Sequence, residues 1–73
     1  MKEHERVVLT EDLPEAKLTA GDVGTVVHVY SDGEAFEVEF MALDGETIAV
    51  VTLERHRIRP VQHREIPHVR LVA

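Results

Sequence analysis

The amino-acid sequence predicts a small all-β domain, a barrel of about five antiparallel strands with an extra C-terminal tail or strand. Three observations carry that expectation. Short apolar segments rich in β-branched residues recur along the 73 residues, two Asp-Gly pairs stand between them, and side chains so stiff at χ1 are poor material for helices. A chain of this length leaves roughly 40% of its unfolded surface exposed after folding. It contains no cysteine, so neither a disulfide nor a thiolate-held metal can reinforce it.

The first strand is expected at Arg6-Val7-Val8-Leu9. Val23-Gly24-Thr25-Val26-Val27-His28-Val29-Tyr30 forms the second, with one glycine near its start. Ala35-Phe36-Glu37-Val38-Glu39-Phe40 alternates cleanly, placing Phe36, Val38 and Phe40 on one face and Glu37 and Glu39 on the other. Thr47-Ile48-Ala49-Val50-Val51-Thr52-Leu53 supplies the fourth. Ser31-Asp32-Gly33-Glu34 and Leu43-Asp44-Gly45-Glu46 carry the Asp-Gly hairpin signal, so residues 23–53 read as a three-stranded meander. Between the first two strands, Leu13-Pro14-Glu15-Ala16-Lys17-Leu18 has room for one helical turn, with Pro14 tolerated at its start, and Leu13 and Leu18 turn inward as plugs.

Glu54-Arg55-His56-Arg57 reads as a short polar turn and Ile58-Arg59-Pro60-Val61 as a brief last strand, which Pro60 confines to an edge. Strand, long loop, meander, short turn and final strand is the order of an SH3-like barrel over residues 1–61. The expected core is Leu9, Leu18, Val23, Val26, Val29, Phe36, Val38, Phe40, Val51, Leu53, Ile58 and Val61. A bulge at Gly24-Thr25 would reverse the facing of the second strand. Residues 62–73 fall outside the barrel plan and hold one more candidate strand around Val69 and Leu71.

Leu13-Pro14, Gly21-Asp22-Val23-Gly24-Thr25-Val26-Val27, Tyr30, Gly33, Phe36-Glu37-Val38-Glu39-Phe40 and Gly45-Glu46-Thr47 together resemble a small bacterial family of SH3-like domains of unknown function. The Gly-Asp-x-Gly-x-Val element is similar, more loosely, to that of KOW-type barrels. The resemblance covers residues 6–61 and implies an SH3-like fold and a bacterial source. It supplies no catalytic residues, and it implies an antitoxin-like or accessory role beside a toxin-like partner in a two-gene pair.

Charge narrows the function. The net charge of −6 divides unevenly, with thirteen acidic side chains against three basic ones over residues 1–54, and five arginines against Glu65 alone over 55–73. An acidic body opposes nonspecific nucleic-acid binding, which works by neutralising phosphates, and it suits a basic protein partner. It also serves ordinary solubility. With no long apolar run and a polar start at Met1-Lys2-Glu3-His4, a cytoplasmic chain with no membrane span is expected.

No enzymatic activity is expected. Ser31, the only serine, sits in a turn, and Asp12, Asp22, Asp32 and Asp44 fit turn positions whose carboxylates bond nearby N–H groups. His56, His63 and His68 match no established zinc spacing, and His4 and His28 stand apart from them, so neither metal nor cofactor is expected. Gly21-Asp22-Val23-Gly24 has the letters of a phosphate-clamping GXXG loop, but a strand follows where that module has a helix. The expected partner-binding residues are Glu37, Glu39, His28 and Tyr30 on an exposed acidic sheet face, with Glu34 and Glu46 near its ends. Arg55, Arg57 and Arg59 form a second, basic set. A nucleic-acid accessory working through the basic tail, and a self-associating domain whose tail docks on a neighbour, are the two rival expectations.

Overall fold

The computed structural model describes all 73 residues. Five antiparallel strands make one sheet: β1 (Arg6–Leu9), β2 (Val23–Tyr30), β3 (Ala35–Met41), β4 (Thr47–Glu54) and β5 (Ile58–Pro60), in the order β4-β3-β2-β1-β5. The connections contain only short 3₁₀ turns, and no helix is long and apolar enough to cross a membrane. Leu53 of edge strand β4 and Ile58 of edge strand β5 belong to the same core cluster. A flat sheet would hold them apart, so this one curls around its core in a small β-barrel-like fold.

Val7, Leu9, Val26, Phe36, Val38 and Phe40 fill that core with Leu53 and Ile58. Leu13 and Leu18 close one end. They form an isolated backbone bridge, N–H to carbonyl at 2.9 and 3.1 Å, around the 3₁₀ turn Pro14–Ala16. Phe36, Val38 and Phe40 share the inner face as the alternation predicts, and Val29 and Val51 pack half-buried against the cluster.

Two expected core residues lie outside it: Val23 and Val61 are exposed. The reason at Val23 is the placement of the bulge. Val26 pairs with Val38 but His28 pairs with Glu37, so Val27 is the extra residue and the strand reverses facing there. Before the bulge, Gly24 and Val26 face inward and Val23 cannot; after it Val29 faces inward and His28 and Tyr30 face out. Val61 follows the last residue of β5 and has no pairing to aim it. Val7, absent from the expected core, is fully buried because β1 lies between β2 and β5.

Both Asp-Gly segments are hairpins. At the first, Ser31, Asp32 and Gly33 all adopt positive φ, and the Glu34 N–H returns to the Tyr30 carbonyl. At the second, Gly45 (φ 98°) lets the loop turn, with the Ala42 N–H donating to the Glu46 carbonyl at 2.7 Å. Residues 62–73 form no strand, so the extra strand around Val69 is not made. Pro67 offers no N–H to a ladder, and the segment is tied down through side chains.

Candidate functional site

The outward face of β2-β3-β4 is built from cross-strand rows. His28, Glu37 and Thr52 make one row, and Thr25, Glu39 and Val50 the next. Because the bulge at Val27 turns His28 and Tyr30 outward, their rings meet edge to face, with centroids 4.4 Å apart. His28 Nδ1 lies 3.8 Å from a Glu3 carboxylate oxygen.

Both glutamates are fixed by hydroxyls. Glu37 Oε1 accepts from Thr52 Oγ1 at 2.6 Å and from the Tyr30 hydroxyl at 3.4 Å, and Glu39 Oε2 accepts from Thr47 Oγ1 at 2.6 Å. Neither glutamate has a lysine or arginine partner; the arginine–carboxylate ion pairs of the molecule are Arg57–Glu11, Arg59–Glu65 and Arg70–Asp22. Two half-buried carboxylates are thus oriented on a rigid sheet with their negative charge uncompensated. Thr47 and Thr52, which orient them, are functional candidates that the sequence reading passes over, since only the β3–β4 register reveals the contacts.

His28, Tyr30, Glu37 and Glu39 therefore come together, and the three arginines do not join them. Arg55 and Arg57 belong to the 3₁₀ turn Arg55–Arg57 that links β4 to β5. Arg57 Nε donates to Glu11 at 2.5 Å. Arg59, on β5, grips Glu65 through two guanidinium nitrogens at 2.9 and 2.6 Å.

The tail crosses the molecule between two such anchors. Beyond Glu65, Arg70 reaches back to both carboxylate oxygens of Asp22 and to the Lys17 carbonyl at 3.2 Å. Asp22 also accepts the Thr19 N–H at 2.9 Å, closing the turn in which Gly21 takes a φ of 98°. Asp12 and Asp44 likewise accept backbone N–H groups, of Ala20 and Glu46. Between tail and sheet runs a groove of about 710 Å³, with Val8, Val23, Asp22 and Glu39 among its sheet-side lining and Ile66 and Val69 on the tail side. A second hollow of about 460 Å³ lies against Val23, Met41 and Leu43.

Burial pushes the Asp22 carboxyl up, but the bonds from Arg70 and Thr19 outweigh it and hold the group below its ordinary 3.8. Arg59, helped by the Gln62 N–H, holds Glu65 at about 2 against an ordinary 4.5. For a depressed carboxyl, the stabilisation is complete above the ordinary value and disappears as pH falls through the lowered one. The Arg59–Glu65 pair should therefore persist on acidification and open only near pH 2. The side-chain carboxyl shift of Glu65, followed by NMR, should titrate there; a midpoint near 4.5 would contradict the pair.

Residues 3–60 match the family described as a domain of unknown function, DUF4926. The chain belongs to the DUF4926 family. The match takes in all five strands of the DUF4926 fold and the acidic outer face, and leaves residues 61–73 outside. No curated protein and no solved structure matches the chain significantly. In this DUF4926 domain no group of three histidine or acidic side chains converges on a common point that could hold a metal.

Proposed function

We propose that this DUF4926 chain is a non-catalytic, SH3-like binding module of the cytoplasm that recognises a basic protein segment through the outer face of β2-β3-β4. The observation that carries the reading is the pair Glu37 and Glu39, held by Thr52, Tyr30 and Thr47 and left without a cation inside the molecule. A carboxylate already oriented loses little freedom when a lysine or arginine arrives, so less of the attraction is spent on ordering. The His28–Tyr30 pair beside it adds amphipathic area at low entropic cost. The partner class implied by the family resemblance, a toxin-like product of a neighbouring gene, is the first to test if it is basic.

The nucleic-acid alternative draws less support. Arg59 and Arg70 are engaged by Glu65 and Asp22, so a phosphate would have to displace carboxylates to reach them. Self-association through the tail also has less to recommend it, because Arg70, one of the two arginines of the tail, is satisfied within its own chain.

Glu37→Lys combined with Glu39→Lys tests the reading. Both positions face outward, so the melting temperature should change little. Binding of an arginine- and lysine-rich peptide, followed by NMR titration, should weaken by roughly tenfold or more as attraction becomes repulsion. Unchanged affinity in a folded double variant would refute the acidic-face assignment.

A further inference from the structure

We infer that the turn Lys17–Asp22 is a guanidinium-binding site for an extended, arginine-bearing segment of a protein partner, and that Arg70 of the chain's own tail occupies it in the free molecule. The inference rests on the reading that the domain binds basic protein segments, and it adds a second contact point and a competitor. Three observations converge on it.

The first is the geometry of recognition. Asp22 meets the guanidinium with both oxygens, Oδ1 accepting from Nε at 2.9 Å and Oδ2 accepting from a terminal nitrogen, while the Lys17 carbonyl accepts from that same nitrogen at 3.2 Å. Such a fork fits arginine and not lysine, whose ammonium is a point charge. The Thr19 N–H and the positive φ of Gly21 fix the carboxylate in place from the protein side.

The second is what the tail leaves undone. Ile66, Val69 and Leu71 flank the site on the tail, yet they remain 86%, 73% and 93% exposed. They line the grooves from the tail side without burying themselves against the opposite walls, where Val23, Met41 and Leu43 are all exposed as well. The tail matches the charge of the site without filling its apolar surface. A segment that supplies an arginine together with inward-turned aliphatic side chains makes the same fork and buries more surface.

The third is continuity. Asp22 and Glu39 line one groove, the first holding a cation and the second lacking one. Displacing Arg70 leaves both carboxylates open to a ligand in that groove, which Arg6 and the Glu65-paired Arg59 also line. Site and occupant are also separable: Asp22 lies within the matched family region and Arg70 outside it. A tethered occupant acts at an effective concentration of about millimolar, so the tail sets a threshold against weak basic ligands and yields to one that fills the groove.

The probe is a synthetic peptide with the sequence of residues 62–73, added to isotope-labelled full-length chain and followed by NMR up to millimolar concentration. Arg70→Ala should loosen the tail beyond Glu65, seen as loss of order in the backbone amides of residues 66–72, and should tighten peptide binding at least about tenfold by removing the competing closed state. Asp22→Asn combined with Arg70→Ala should abolish that binding, while Asn retains an oxygen for the Thr19 N–H and the melting temperature confirms folding. A peptide with glutamine in place of the arginine at position 70 should not bind. Equal affinity for native and Arg70→Ala chains, no binding by Arg70→Ala, or binding that survives the double variant would each overturn the inference. If the Glu37→Lys and Glu39→Lys pair abolishes binding while the Asp22 variant keeps it, the outer-face reading stands and this one falls. The opposite pattern keeps the guanidinium site and removes the outer-face glutamates.

Discussion

Replacing Val38 with aspartate should leave the chain unfolded. Val38 has no exposed surface, sits between Val26 and Val51 in the sheet and belongs to the core cluster. Every neighbour on that side is a hydrocarbon, so an ionised carboxylate there has neither a cation nor a donor. The group must be neutralised or exposed, at a cost of several kcal/mol. A domain of this size, without a disulfide, draws only about 3–5 kcal/mol of net stability from its core. The penalty therefore consumes the whole margin. Circular dichroism should show no cooperative thermal transition, and amide proton shifts should collapse to the unfolded range. A cooperative melt would mean that β3 presents its other face to the core.

Gly24→Ala should destabilise the fold by about 1–3 kcal/mol through overpacking. A methyl group built on Gly24 would lie 2.6 Å from Val38 Cγ1 and 2.9 Å from Phe40 Cε2, far inside contact distance. Gly24 has an ordinary strand conformation, so the glycine serves space here and not a special φ. For a domain of this length the melting temperature should fall by roughly 4–8 °C per kcal/mol. Phe40→Leu, destabilising alone, should cost less in the Gly24→Ala background because the methyl occupies part of the vacated room. That non-additivity is readable in a double-mutant cycle; strict additivity would show that the close approach is relieved elsewhere.

Much of the fold was legible because it is written locally. Phe36, Val38 and Phe40 declare their facing by alternation, and the Asp-Gly pairs mark both hairpins. The facing of β2 was not legible, since Val26, Val27 and Val29 are chemically alike and only pairing with β3 shows which one bulges. The acidic face was half legible: Glu37 and Glu39 advertise themselves, whereas Thr47 and Thr52 become their partners only once β4 is in register. The arginines misled by their spacing. The polar turn expected over residues 54–57 is present as the 3₁₀ turn Arg55–Arg57, but it separates Arg55 and Arg57 from Arg59 on β5, so the three do not make one basic set. The bond from Arg70 to Asp22 joins residues 48 apart in the chain, and no local pattern encodes it.

The position of β1 has a kinetic consequence. It is the first strand made, and it pairs on one side with β2 and on the other with β5, Leu9 lying opposite Ile58. The meander can form while synthesis continues, but β1 keeps one bare edge until the final strand leaves the ribosome. Closure is therefore a high-contact-order event, set by bringing distant parts of the chain together and slow relative to hairpin formation. In that interval the nascent domain exposes an apolar strand to chaperones and to its neighbours on the polysome.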